Sequence, residues 1–397
     1  MHILFITDKP YPPEPRIKNE AYVLMQKASS VSLISVHHKR VGPHLDNVQG
    51  MPVHRIILSP IYKKLQALCF TFPFYHLLIY RRLCREIEKF RFDVLYVHNI
   101  VLYPIIYLKY RKRAPIVLDI HENLAEIIKH YPHYDTFWGK LLIYPTLWKK
   151  MEAWCIRTSS LCVVVAPEAK EHYRSYIHRF DSYYVLPNMT NATFLTAKTS
   201  DVSVENMNSE EYTMIYVGDT GLRRGILTAI RAIPAIRRVV PNIQLIVLGS
   251  SRTDDVLHRE IAKLDISEHV VLVGWVEETL FPSYISASKI GICPLHRNIH
   301  HDTTYANKLF QYLACEVPVL VSDCTAQKNF VEEHQVGLVH ESENTKDFAD
   351  KIIQMATNEQ LYKQFKQNAA STSHEYTWES YADAFSSELA ELSVQMH

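Results

Sequence analysis

Short apolar runs alternate with segments of helical period along most of this chain. His2–Thr7, Val31–Val36, Val53–Ile57, Val94–His98, Pro115–Asp119, Leu161–Ala166 and Tyr183–Leu186 read as strands, because continuous apolar stretches this short suit strands buried on both faces. Between several of them, Arg16–Ser29, Phe74–Phe90 and Trp138–Thr158 space their apolar residues as helices do. Thr190–Glu211 is polar and rich in Ser, Thr and Asn, and reads as a linker or ragged loop. The alternation then restarts with strands over Thr213–Gly218, Ile243–Gly249, Val270–Val273, Ile290–Cys293, Val317–Val321 and Gly337–Val339. Helices are predicted over Arg223–Val239, Asp254–Leu264, Asn307–Ala314 and Lys346–Ala356. This order predicts an α/β protein of two Rossmann-like, doubly wound parallel-sheet domains, over 1–195 and 210–374, facing a cleft. Tyr376–Leu392 is a further amphipathic segment, and the pattern fits either closing the second domain or bracing the first.

Composition narrows the reading. A net charge of +1 argues against a nucleic-acid binder. The seven cysteines are odd in number and form no C-x-x-C pair, so free buried thiols in a reducing compartment are expected. No basic segment precedes His2–Thr7 and no run of 18 apolar residues occurs. The expectation is a cytoplasmic protein without signal peptide or transmembrane helix. Glycine is scarce, at 10 residues, and seven of these lie from Gly218 onward. Several directly follow apolar strands, as ligand-facing loops do.

Five stretches carry candidate chemistry. In YVGDTGLRRG (216–225) a strand ends in a glycine-containing turn, and Arg223 and Arg224 are expected to open the following helix. Guanidinium groups there suit a phosphate, although the P-loop ending is absent. In NKLFQYLA (307–314), Lys308 falls at a helix start, where a cation opposes the macrodipole unless an anion arrives. Together the two stretches place cations where a metal-free diphosphate clamp would need them. VLDIHENLAEI (117–127) sets His121 and Glu122 just beyond a strand end. Ala125 stands where a zinc-binding H-E-x-x-H would need its second histidine, so no metal is expected. TDKPYPPEPRIKNEAYVL (7–24) is a stiff proline loop that hands over to a helix at Arg16 and lacks the dinucleotide fingerprint. Ile61–Arg91 carries seven Lys/Arg against two Glu among Phe, Tyr and Leu, a composition that suits an anionic membrane surface as well as a solvated helix face.

In this order the stretches PPEPRIKNEAYVL, VLYVHN, VLDIHE, VLPN, YVGDTGLRRG, VVLVGWV and NKLFQYLACEVPVLVSD resemble the GT-B-fold glycosyltransferases of family 4, the glycosyl transferases group 1 type, over essentially the whole chain. The resemblance implies metal-independent transfer of a sugar, with retention of configuration, from a nucleotide sugar to a lipid-linked or polysaccharide acceptor. It implies no cofactor beyond that UDP- or GDP-linked co-substrate, and a terminal helix over 375–397 that crosses back to the first domain. By the same resemblance, Gly218, Gly221, Arg223, Arg224, Val276, Asn307, Lys308 and Gln311 bind the donor, and His121, Arg224 and Lys308 serve catalysis. Glu14, Arg16, His98 and Glu122 fall on the acceptor side. The protein would then be cytoplasmic, with peripheral contact to the inner face of an anionic membrane as an added expectation. Thr303 and Gln311 replace the family's two glutamates, and Asp219 replaces a frequent arginine. These departures keep open a non-catalytic nucleotide-sugar-binding relative; a nucleotide-sugar 2-epimerase on the same fold is a second alternative, although the fuller set of acidic residues such enzymes carry has no counterpart here.

Overall fold

The computed structural model describes residues 1–12, 14–27, 29–39, 41–130, 134, 136–191, 194 and 211–394. Most of the polar 190–211 stretch therefore lies outside the described residues. The chain forms two compact units, Met1–Pro187 joined by the segment from Tyr381 onward, and Asn188–Ser380.

The first unit holds eight strands: β1 (His2–Thr7), β2 (Ser30–His37), β3 (Leu45–Val48), β4 (Met51–Ile57), β5 (Val94–His98), β6 (Ile116–Ile120), β7 (Leu161–Val164) and β8 (Tyr183–Val185). Their spatial order is β3-β4-β2-β1-β5-β6-β7-β8. All pairs are parallel except β3 with β4. This short edge hairpin was not predicted. It turns at Gln49 and Gly50, both with positive φ, the geometry that matches strand twist in a two-residue hairpin. The strand order reverses between β1 and β5, where doubly wound sheets bind ligands.

The second unit is the six-stranded sheet of β9 (Tyr212–Val217), β10 (Ile243–Leu248), β11 (Val270–Gly274), β12 (Ile290–Cys293), β13 (Val319–Ser322) and β14 (Gly337–His340). It is ordered β11-β10-β9-β12-β13-β14, so its reversal lies between β9 and β12. The central strands of both sheets, β1, β2, β5, β6 and β7 in the first and β9, β10, β12 and β13 in the second, are largely apolar and buried on both faces, as parallel sheets covered by helices require.

Two predicted helices are divided. Trp138–Thr158 is two helices, Phe137–Leu142 and Pro145–Thr158. Pro145 disfavours a helical conformation at Tyr144, and Ile143 and Tyr144 are both extended. Arg223–Val239 is also broken: the two arginines sit in a 3-10 turn, Leu222–Arg224, and the α-helix starts at Ile226. The break is Gly225, at φ 78°, where a Cβ would lie 1.6 Å from the Pro294 carbonyl oxygen. The arginines thus precede the helix rather than open it.

The terminal helix is Trp378–Val394. Trp378 Nε1 donates to Met189 O at 2.8 Å within the second unit. Further along, Phe385 packs against Tyr96 and Tyr184 within the first.

Under β1, β5 and β6 lies a buried polar cluster. Arg16 donates from Nε and Nη2 to the two Asp119 oxygens, at 2.8 and 3.0 Å, and from Nη1 to Leu186 O at 3.0 Å. Glu20 Oε1 lies 3.0 Å from Arg16 Nε and accepts from the Tyr96 hydroxyl at 3.3 Å. His98 Nδ1 is 3.1 Å from Asp119 Oδ2. Burial alone would raise Asp119; Arg16, His121 and His98 outweigh it and hold the carboxyl well below its usual range. Burial, reinforced by the Asp119 charge, drives Glu20 well above its usual range, and burial lowers His98. One ion pair with two neutral partners is the state in which this interior carries no net charge.

Asp119→Asn should destabilise the fold by about 3–5 kcal/mol by leaving Arg16 unpaired, whereas Glu20→Gln, which mimics the neutral acid, should change little below about pH 4.3 and stabilise the fold at neutral pH, where Glu20 of the unfolded chain is ionised. Asp119 supplies stability above its unfolded value of about 3.9 and loses it as pH falls through the lower folded value. Glu20 supplies stability in full below about 4.3 and loses it as pH rises through its raised folded value, a loss that Glu20→Gln removes. Denaturant unfolding across pH reads both.

Candidate functional site

In the second unit, β9 and β12 pair only at Met214–Ile290 and Ile215–Gly291. Beyond that point the Tyr312 hydroxyl stands between them. It accepts Val217 N–H at 3.1 Å, and lies 3.1 and 3.3 Å from the Ile215 and Ile292 carbonyl oxygens, to one of which it donates. The Tyr312 ring covers Gly291, where a Cβ would come within 2.3 Å of it. This wedge parts the two strands and opens the crevice at their carboxyl ends.

Lys308 enters there from the helix Asn307–Ala314, with its Nζ 3.4 Å from the centre of the Tyr216 ring. A Cβ on Gly218, itself at φ 118°, would be 3.6 Å from that nitrogen. Burial pushes the ammonium down to about 7; Arg224 adds to this, while Cys293 and Asp219 oppose it. The ring face also favours the charged form. Ala306, the helix N-cap, makes no side-chain cap bond, so the first-turn N–H groups keep their preference for an anion. Asn307 is exposed and Gln311, one turn on, is half-buried.

The turn after β9 brings Gly221, Arg223 and Arg224 to the same strand end. Asp219 accepts Gly221 N–H at 3.0 Å and lies 3.7 Å from Arg224 Nε. Its carboxylate therefore holds a backbone donor and a cation that an incoming phosphate would also use. Arg223 is exposed, and its carbonyl accepts His296 N–H at 3.1 Å. His301 is buried, with Nδ1 2.7 Å from His296 O. Burial, with the Arg224 and Arg223 charges adding to it, lowers His301 to about 4. The ring is thus neutral, with Nδ1–H the donor and Nε2 an acceptor.

Gly218, Gly249 and Gly274 end β9, β10 and β11 in a row, all with positive φ. A Cβ on Gly249 would lie 2.0 Å from Gly218 O, and Gly249 N–H donates to Gly274 O at 2.7 Å. Half-buried Val276 follows this row, beside Trp275, which is 75% exposed.

Thr303 bonds Ile299 O at 2.7 Å and is buried. It closes its own helix and offers no carboxylate. The roles of Tyr312, Tyr216 and His301 were not anticipated. Their signals are weak in the sequence: a tyrosine in an apolar helix, a tyrosine in a strand, and a histidine three residues after the capping Asn298.

In the first unit, His121 follows β6. Its Nδ1 lies 3.7 Å from Asp119 Oδ2 and its Nε2 is 3.2 Å from Lys9 Nζ. Lys9 also reaches Glu122 at 3.5 Å and Glu14 at 3.8 Å. His121, Lys9, Glu14 and Glu122 therefore form one group at the sheet's carboxyl end, resting on the Arg16–Asp119 pair. Arg16 and His98, expected on the acceptor side, are instead interior, because a buried Asp119 needs a cation and a hydrogen-bond donor. Their part is to hold Asp119, and through it His121. His98, Asp119 and His121 present ligand atoms within 4.8 Å of one another, the one such group among the described residues. The Arg16 guanidinium already occupies both Asp119 oxygens, so a metal ion would compete with a fixed positive charge.

A model of the glycosyl transferases group 1 matches residues 198–372, and a model of glycosyltransferase family 4 matches residues 34–194. A capsular polysaccharide biosynthesis glycosyltransferase, CapM of Staphylococcus aureus, is 25% identical over 154 residues, which are 38% of this chain and 39% of that protein. The match thus spans about two fifths of the curated relative. Among solved structures, sucrose-phosphate synthase from Thermosynechococcus elongatus superposes with a TM-score of 0.78 at 14% identity, covering 100% of both chains. An α,α-trehalose 6-phosphate synthase from Burkholderia multivorans gives 0.75 at 11% identity, covering 99% of this chain and 97% of that one. Anabaena HepE in complex with UDP and glucose gives 0.70 at 14% identity, covering 98% and 100%. At these identities the likeness to solved structures is one of fold.

Lys308, near 7 when its site is empty, should be held as the ammonium by a bound diphosphate. Titrating pyrophosphate or a nucleoside diphosphate at pH 8 should therefore take up about one proton, falling toward none at pH 6. Lys308→Met should abolish the uptake and weaken binding by roughly tenfold or more. Calorimetry in two buffers of different ionisation enthalpy measures both.

Proposed function

Since the chain belongs to the GT-B glycosyltransferases of family 4, we propose that it moves a sugar from a nucleotide-diphosphate sugar to a lipid-linked or polysaccharide acceptor, with retention and without a metal. The observation that carries this is the Lys308 ammonium lodged beside Gly218, with Arg224 in the adjoining turn. When the bond from the sugar's anomeric carbon to the diphosphate breaks, negative charge grows on the β-phosphate. Lys308, Arg224, Arg223 and the N–H groups at Asn307 are fixed donors for that charge, the form of stabilisation that usually dominates catalysis. Gln311 accepts and donates hydrogen bonds to the ribose hydroxyls in place of a carboxylate. Val276 meets the nucleobase edge through its backbone.

The acceptor hydroxyl attacks the face from which the diphosphate leaves. Its proton passes to a departing phosphate oxygen as the new carbon–oxygen bond forms, so no side chain need serve as nucleophile. His121, braced by Asp119, orients the donor sugar by hydrogen bonding, while Glu14, Lys9 and Glu122 line the acceptor side. Asp219 must release Arg224 and Gly221 N–H as the diphosphate arrives. A carbohydrate-polymer acceptor accords with the similarity to the capsular polysaccharide enzyme.

A second reading, a nucleotide-sugar binder without turnover, is favoured by one observation: Asp219 sits on groups the phosphate needs. Incubation with UDP-, GDP- and ADP-sugars, with and without a chelator, separates the two. The transferase should hydrolyse or transfer from one donor class regardless of chelator, give a product of unchanged anomeric configuration by NMR, and lose at least about tenfold in kcat/KM in Arg224→Ala. Binding of a donor with no release of free nucleoside diphosphate would establish the binder instead.

A further inference from the structure

The helix Phe74–Ile87 already satisfies the core with Tyr75, Ile79, Leu83 and Ile87, all buried. On its other side it leaves Phe74, Leu77 and Leu78 exposed by 57%, 67% and 55%. A helix packed on one core needs one apolar stripe, so this second stripe is unexplained by the fold. Another segment of the same unit joins it. The helix Phe137–Leu142 exposes Phe137, Trp138 and Leu141 by 75%, 65% and 48%. Two contacts tie the segments together: Thr71 Oγ1 donates to Leu142 O at 2.8 Å, and the Phe70 and Trp148 rings meet edge-on at 4.7 Å. The two segments are thus neighbours, and each exposes bulky apolar side chains, which a water-facing surface does not ordinarily present.

Charge gives the face its partner. Residues 61–85 and 136–150 together contain eight Lys/Arg and no Asp or Glu, in a chain whose net charge is only +1. Lys63, Lys64, Arg81, Arg85 and Lys140 are exposed beside the apolar groups. Aromatic and leucine side chains rimmed by cations, with carboxylates excluded, are the chemistry of a surface that lies on anionic lipid headgroups and dips its apolar groups beneath them.

Position adds a purpose. Both segments leave from carboxyl ends of strands, after β4 and after β6. The short helix Ile61–Ala67 reaches Asp8, just past β1, through Gln66 Nε2 to Asp8 Oδ2 at 2.7 Å. The face thus lies at the same end of the first sheet as the Lys9–His121 group. Among the described residues no helix is long and apolar enough to cross a membrane, so contact with a bilayer through this face would be peripheral.

We propose that this face docks the protein on an anionic bilayer, and that the acceptor is accordingly an amphiphile held in that bilayer. The second half rests on the transferase reading; the first half does not. Co-sedimentation of the full chain with phosphatidylglycerol–phosphatidylcholine vesicles should show binding that weakens with salt and is much reduced with phosphatidylcholine alone. Lys63→Glu/Lys64→Glu and, separately, Leu77→Ser/Trp138→Ser should each weaken binding by roughly tenfold or more. Both pairs are exposed, so the fold, read by circular dichroism, should be unchanged, as should donor hydrolysis in detergent-free solution. Vesicle binding is measured without donor, so it stands or falls apart from turnover. Equal binding by both variants, or no binding to anionic vesicles, would overturn the docking proposal. So would self-association of the chain, in sedimentation velocity, that the same substitutions abolish while vesicles remain unbound. Vesicle binding combined with equal turnover of lipid-free and vesicle-held acceptors would overturn the inference about the acceptor.

Discussion

The Tyr312 hydroxyl, lodged among three backbone groups of β9 and β12, is the constraint on which the second unit's site depends. Parallel strands left to themselves would continue their ladder to the ends, closing the gap at the point where strand order reverses. A single side chain satisfies two of the backbone groups that parting the strands would otherwise strand, the Val217 N–H and one of the Ile215 and Ile292 carbonyls. Burying those groups without a partner would cost about 1–3 kcal/mol each. The same helix that brings Tyr312 also brings Lys308 one turn earlier, so opening the crevice and supplying its cation are one packing event. Gly291 is required by that event, because any side chain would collide with the ring.

The first unit solves a different problem with the same economy. An acid at the end of β6 is useful for orienting His121 but is buried by the neighbouring strands. Arg16, from the helix after β1, neutralises it, and Glu20 and His98 stay uncharged beside it. The position of His121 is therefore set by a polar interior in which each group's charge state depends on its neighbours.

Much of this was legible in the sequence, and the reasons differ by element. Strands such as Val94–His98 and Ile290–Cys293 were readable to the residue because burial on both faces leaves an uninterrupted apolar run. The β3 hairpin was missed because Leu45–Val48 is an exposed edge strand with no core to impose a pattern. Trp138–Thr158 read as one helix because its apolar spacing continues across Pro145, where backbone sterics decide the matter. At the candidate site, Gly218, Arg224 and Lys308 were singled out from residue type and strand-end position, and the structure brings them to one strand end. Arg16 and His98 were also noticed, but a charged residue beside a strand end looks alike whether it faces a ligand or props up a buried acid. The wedge of Tyr312 had no local signature: its partners lie on two strands distant in sequence.

The turn Leu222–Arg224 and the loop after β12 touch through bare backbone. Gly225 lies against Pro294 O, and Arg223 O receives His296 N–H. No side chain stands between them to take up a change in spacing. A change of spacing in one loop therefore needs a matching change in the other. Recombination that exchanges the first without the second would set backbone against backbone, while a chimera that carries 218–225 and 294–301 together from one parent preserves the fit. Changes at this strand end are accordingly coupled across segments distant in sequence, Gly249 among them, whose backbone packs on Gly218 O.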